Sequence, residues 1–260
     1  MKRLLLLVSA LLVSSSPAIA WEPGDDWRDD QCEYVIDGAN RVADVCRGIY
    51  GRGEIFLGIY WKDGAEVVGP CNATESWPIE YQGLIFYEKS PRNVNIDTLK
   101  LIQQYYSQYS SKFVGVFVNP TLQEIEEKLN LFDFHTIQLH GSENQKFIND
   151  VKSTFQKKIF KSLSPEELIE NDFSNVDYFL IEGKPEKNDQ PGGNNKTWNW
   201  SKFSNPKKLP FILSGGLNES NVSEAIDLTG ANFVDINSGV EEKKGEKNLS
   251  LIDRLVSSLK

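Results

Sequence analysis

A chain of 260 residues with 40% hydrophobic and 25% charged side chains has material for one sizeable core and too little length for several domains, which excludes disorder and coiled coil. Its 28 Lys and Arg stand against 37 Asp and Glu, a net charge of -9, so a broad basic face for a polyanion is absent and nucleic acid is not an expected partner. Past residue 20 no apolar stretch reaches the roughly 18 residues of a membrane helix, so the mature chain is not expected to span a bilayer.

The chain opens with Met1-Lys2-Arg3, an apolar run from Leu4 to Val13, and Pro17-Ala18-Ile19-Ala20, which reads as a signal peptide over residues 1–20 cleaved before Trp21. An exported or secretory-pathway location follows, with an uncleaved anchor as the alternative. Cys32, Cys46 and Cys71 all lie in the first third; Cys32 with Cys46 closes the shortest loop, and the odd count leaves one thiol over. No cysteine has a metal-ligand spacing and His135 and His140 are the only imidazoles, so no metal is expected. Composition shifts near residue 80. Arg3, Arg28, Arg41, Arg47 and Arg52 are five of the seven arginines, whereas Lys2 and Lys62 alone among the lysines precede that point. A front segment of different origin, or an assembly join, would give this asymmetry. Residues 21–53 are expected to form an irregular extension outside the fold.

Eight short runs rich in Val, Ile, Phe and Tyr follow: 54–61, 81–87, 113–119, 135–140, 157–162, 177–183, 210–214 and 232–237. Amphipathic spacing between them predicts helices through Ile96, Leu99, Ile102 and Tyr106, through Leu122, Ile125 and Leu129, through Phe147, Ile148, Val151 and Phe155, and over 221–228. Ser142 with Gln145 predicts a capping box for the third, and Leu249, Ile252, Leu255, Val256 and Leu259 mark a final helix. Apolar strands alternating with helices imply a parallel sheet covered on its faces. Eight units in about 200 residues, with no dinucleotide fingerprint after the first strand, fit a (β/α)8 barrel over 54–260. Gly64, Gly69, Pro70 and Pro78 leave little room for a helix after Glu54–Trp61, the candidate first strand.

In such a barrel the chemistry lies at the carboxyl ends of the strands. Strand seven ends in Ser214-Gly215-Gly216-Leu217 and strand eight in Asp235-Ile236-Asn237-Ser238-Gly239-Val240-Glu241. Glycines allow backbone N–H groups to approach an anion, so these two loops are a candidate phosphate cradle built on Gly215, Gly216, Ser238 and Gly239.

Over residues 81–260 the chain resembles the phosphoribosylanthranilate isomerase family. The likeness is carried in order by Gly83-Leu84-Ile85-Phe86-Tyr87-Glu88-Lys89-Ser90-Pro91-Arg92, Val114 to Asn119, Ile137-Gln138-Leu139-His140-Gly141, Pro210 to Leu217 and Val234 to Glu241. The resemblance implies a (β/α)8 barrel performing, without a cofactor, the Amadori rearrangement of a small phosphorylated substrate, N-(5'-phosphoribosyl)anthranilate, in tryptophan biosynthesis, as a monomer or homodimer. It assigns substrate contacts to Arg92, Gln138, His140 and Asp235. The family's Gly-Gly-x-Gly-Lys-Thr loop after strand six stands here as Gly192-Gly193-Asn194-Asn195-Lys196-Thr197.

The catalytic pair departs from the family. The reaction needs an acid to open the furanose ring and a base to take the C2' proton. The family's acid is an aspartate ending strand six, where this chain has Glu182, one methylene longer. The family's base is a cysteine in a Lys-Ile-Cys-Gly motif on strand one, and that motif is absent; family spacing back from Gly83 reaches Asp63 as a candidate, with a solvated turn in Lys62-Asp63-Gly64 as the other reading. Export also conflicts with a cytoplasmic or plastid pathway. The sequons at Asn218 and Asn221 fall within the proposed phosphate region, so a glycan there would obstruct it, and the five acidic residues of Trp21 to Asp30 are unlike a transit segment. Two readings stand: an isomerase with an altered catalytic pair, and a noncatalytic barrel that keeps the phosphate cradle.

Overall fold

The computed structural model describes residues 3–8, 79–106, 113–184 and 197–259. Eight parallel strands close into a barrel in chain order. They are β1 (Arg3–Val8), β2 (Ile79–Phe86), β3 (Phe113–Phe117), β4 (Thr136–Leu139), β5 (Lys158–Leu163), β6 (Tyr178–Ile181), β7 (Phe211–Leu213) and β8 (Phe233–Ile236). The helices are α1 (Ile96–Tyr106), α2 (Leu122–Leu131), α3 (Gln145–Phe155), α4 (Pro165–Glu170), α5 (Val222–Thr229) and α6 (Leu249–Ser258). This is the expected (β/α)8 architecture, and seven of the eight expected strands stand within two residues of their predicted bounds.

The first strand is described at Arg3–Val8. Arg3–Val8 pairs with β2 through Leu4↔Ile79 to Val8↔Leu84 and with β8 through Arg3↔Phe233 to Leu6↔Ile236. The run read as the core of a leader therefore stands in the barrel wall, in the slot expected for Glu54–Trp61, which lies outside the described residues. The physical reason is a shared requirement: a signal core and a parallel strand covered on both faces are each a short continuous apolar run. Sequence pattern does not distinguish them.

Alternation along each strand decides what faces inward. Tyr81, Ile85, Val114, Val116, Phe160, Leu180, Ile212 and Phe233 form one buried cluster inside the barrel. Its floor is aromatic: Tyr81 meets Phe160 edge-on at 5.6 Å and stacks on Phe233 at 6.0 Å, while Tyr178 meets Phe160 and Phe233 at 5.5 Å each. Counting onward by two from this floor reaches Ser162 on β5, Glu182 and Ser214 just past β6 and β7, and Asp235 on β8, so the polar groups gather above an apolar base. The residues between them face the helices. Leu84, Phe113, Phe117, Ile137 and Leu139 pack with Leu99, Ile125 and Ile148. Leu213, Val234 and Ile236 pack with Val222, Ile226, Ile252 and Leu255.

Local signals set the helix starts. Thr121 and Glu124 form a reciprocal capping box on α2, as do Ser164 and Glu167 on α4, whose first residue is Pro165. The expected box at Ser142 and Gln145 does not form. Asn144 caps α3 by accepting from Phe147 N, because Ser142 N and Oγ both donate to Asn119 Oδ1 across the neighbouring loop. Tertiary contact overrides the local pattern there.

Candidate active site

The site is built one residue past the strand ends. His140 N donates to Phe117 O at 2.8 Å, Glu182 N to Leu163 O at 3.2 Å, and Ser214 N to Ile181 O at 2.8 Å, so the ladder continues and fixes all three side chains at the barrel mouth. His140 Nε2 lies 2.8 Å from Glu182 Oε1, with the side chains 6% and 16% exposed. Gln138 Nε2 stands 3.0 Å from His140 Nδ1, orienting the ring from one layer below, and Ser162 Oγ donates to Glu182 Oε1 at 3.1 Å. Burial opposes the charge on both members of the pair. Their mutual attraction outweighs it, raising the His140 pKa and lowering that of Glu182, so the imidazolium–carboxylate form is favoured.

Asp235 sits nearby on β8 and is differently placed. Its Oδ2 accepts from Ser214 Oγ at 2.9 Å, while its buried Oδ1 has no hydrogen-bond partner among the described residues. Burial pushes its carboxyl up to about 7, with the Ser214 hydrogen bond and His140 pulling the other way.

Arg92, expected to bind substrate, is clamped at the rim. Its Nε and Nη2 donate to Glu241 Oε1 and Oε2 at 2.8 and 2.6 Å, a bidentate pair with both side chains buried. Lys247 Nζ completes the cluster at 3.0 Å from Glu241 Oε1, and also donates to Asn237 O at 2.7 Å and Asn237 Oδ1 at 2.6 Å. Burial disfavours the charge on Glu241, but Arg92 and Lys247 outweigh it and push the carboxyl down to about 2. Burial brings Lys247 down to about 8. Both charges thereby fix the loop after β8.

The two Gly loops meet there. Gly215 (φ 95) and Gly216 (φ 69) occupy the left-handed region, where side-chain-bearing residues are strained. Asn221 Nδ2 donates to Gly216 O at 3.0 Å, tying the loop to the start of α5. Gly239 is needed for packing: a Cβ there would collide with the Leu217 carbonyl oxygen, so the loops after β7 and β8 touch backbone to backbone. Trp198 covers this corner, its Nε1 donating to Ser214 O at 3.0 Å and its ring lying against Gly183 and Gly215. On the opposite side, buried Lys161 pairs with Glu143 at 3.1 Å and donates to Gly141 O at 2.7 Å, while Glu143 accepts from Gly141 N and Asn119 N, which pins the turn after His140.

Residues 63–258 match the family model of N-(5'phosphoribosyl)anthranilate (PRA) isomerase. The chain belongs to this isomerase family. A Sinorhizobium medicae N-(5'-phosphoribosyl)anthranilate isomerase is 33% identical over 187 residues, covering 69% of this chain and 86% of the relative. The Thermus thermophilus phosphoribosyl anthranilate isomerase shares the fold at TM-score 0.60 and 22% identity, over 72% of this chain and 90% of that one. Another isomerase, solved with reduced 1-(o-carboxyphenylamino)-1-deoxyribulose 5-phosphate, shares it at TM-score 0.57 and 19% identity, over 99% and 98% of the two chains.

Within the isomerase frame, the structure brings Gln138, His140, Glu182 and Asp235 to one end of the lumen and places Gly215, Gly216, Ser238 and Gly239 in two touching loops. Arg92 stands at the rim on Glu241. Asp63 and the Gly192–Lys196 stretch lie outside the described residues. Sequence reasoning assigned no role to Ser162, Ser214, Trp198, Glu241 or Lys247. Inward parity from the aromatic floor would have found the two serines; the others depend on contacts between distant loops.

Proposed function

We propose that this chain is a working N-(5'-phosphoribosyl)anthranilate isomerase, catalysing the Amadori rearrangement that the family contributes to tryptophan biosynthesis. The observation that carries the reading is the buried His140–Glu182 pair at the end of β4 and β6, 2.8 Å apart. The two groups act as one acid. They hold a proton over the aromatic floor, and deliver it to the furanose ring oxygen as the C1'–O4' bond breaks and the anthranilate nitrogen forms the Schiff base. Phosphate binds the backbone N–H groups of Gly215, Gly216 and Gly239 together with Ser238, in the two loops where barrels of this fold hold phosphate. Gln138 orients the imidazole, and Arg92 meets the anionic end of the substrate from the rim.

The missing strand-one thiol favours a slow enzyme, at least about 100-fold below a family member with the usual acid and base. It also supports the second reading, a barrel that binds phosphorylated ligands without turning them over. Purified full-length protein supplied with N-(5'-phosphoribosyl)anthranilate separates the two. Formation of the carboxyphenylamino-deoxyribulose phosphate, lost in Glu182→Ala, is expected of the enzyme; ligand-induced stabilisation with no product is expected of the binding protein.

A further inference from the structure

The chain lacks the family's Lys-Ile-Cys-Gly motif, and the structure points to where a replacement base stands. We infer that Asp235 is the catalytic base, its unpartnered Oδ1 taking the C2' proton of the Schiff-base intermediate. This deepens the isomerase reading and rests on it.

Three observations place it there. Asp235 belongs to β8, next to the first-strand slot from which the family's base acts, with Leu5 as its register partner on β1. Its side chain follows the inward parity of Phe233, so it rises from the aromatic floor into the lumen. Buried at 2% exposure, it leaves Oδ1 without a partner among the described residues while Ser214 Oγ fixes Oδ2 at 2.9 Å. A buried carboxylate oxygen with no partner is costly in a folded protein, and a proton acceptor awaiting its substrate accounts for it.

The chemistry balances without another reactant. Asp235 takes the proton from C2', the C–H electron pair forms the C1'=C2' bond, and the iminium nitrogen receives the displaced pair. The proton then held by Asp235 returns to C1', and the enol hydroxyl proton passes to the His140–Glu182 pair, which had given one to the ring oxygen, as the enol closes to the ketone. Among the described residues, the charged and titratable groups that act on Asp235 are His140, Glu182 and Lys247. Burial sets its carboxyl near 7, where a base works best at neutral pH. Glu182 lies two strands away, roughly 10 Å along the wall, so acid and base reach one ribose from two sides.

The test is a set of pH–rate profiles for the full-length parent, Asp235→Asn, Asp235→Glu and Asp63→Asn, with melting shifts by a phosphorylated ribose analogue measured alongside. Asp235→Asn is expected to keep the melting shift, lose at least 100-fold in kcat with little change in KM, and lose the rise in rate centred near pH 7. Asp235→Glu should recover part of the rate on a displaced limb. An unchanged profile in Asp235→Asn, or a loss confined to Asp63→Asn, overturns the assignment while leaving the isomerase reading intact. A parent that binds the analogue and never turns over substrate overturns the isomerase reading itself. If Asp235→Asn loses the melting shift too, Asp235 serves the binding frame and the base assignment is wrong.

Discussion

His140 Nε2 and Glu182 Oε1 approach to 2.8 Å across the mouth of the barrel, on strands separated by β5. Each charge is buried and each offsets the other, so removing either strands its partner. Glu182→Ala is expected to lower kcat at least 100-fold and to return the His140 pKa towards or below its ordinary value, because burial then acts unopposed. NMR titration of the His140 ring measures the second effect. A His140 that still titrates above 6.5 in the variant would show that the pairing does not hold its proton.

Asp235 gives a stability signature with a definite sign. Its folded pKa of about 7 lies above the ordinary aspartate value near 4. Between those values the folded protein binds a proton that the unfolded chain does not, so this group's contribution to stability is full below about pH 4 and is lost as pH rises through 7. Asp235→Asn should therefore melt several degrees above the parent at pH 8, with the difference shrinking towards pH 5. Melting curves at the two pH values check it, and an equal difference at both would show that Asp235 is not the group responsible.

The phosphate loops make a separate prediction. Gly216→Asp places an anionic side chain on a left-handed backbone beside the proposed phosphate, and Gly239→Ala pushes a Cβ into the Leu217 carbonyl. Both should weaken the melting shift produced by a phosphorylated ribose analogue by tenfold or more in Kd, while leaving the far-ultraviolet circular dichroism unchanged. Binding at parental strength in Gly216→Asp would remove the cradle from the site.

The first strand can be tested by deletion. If Arg3–Val8 fills the slot between β2 and β8, a protein lacking residues 1–20 exposes two strand edges and should aggregate or melt at least 5 °C lower. Equal stability would mean that another segment closes the barrel, as the sequence expectation for Glu54–Trp61 has it.

Much of this was legible in sequence because its signals are local and periodic. The parallel strands read as short apolar runs, the helices as amphipathic spacing, and β7 and β8 announced their loops through Gly215, Gly216 and Gly239. What escaped depended on contacts between distant residues. The Ser142 capping pattern failed because Asn119, 23 residues earlier, held its donors. Arg92 met Glu241, 149 residues away, and no spacing rule connects them. Asp235 appeared only as a family substrate contact, since the unpartnered state of Oδ1 is a property of its surroundings. The first strand was hidden by ambiguity of another kind, one apolar run with two physical uses.

The most direct measurement is turnover of N-(5'-phosphoribosyl)anthranilate by purified full-length protein, with the product identified by mass and NMR. The account predicts slow, cofactor-independent formation of 1-(o-carboxyphenylamino)-1-deoxyribulose 5-phosphate, abolished by Glu182→Ala. No product from a folded protein that still binds the phosphorylated analogue, or product formed undiminished by Glu182→Ala, would contradict it.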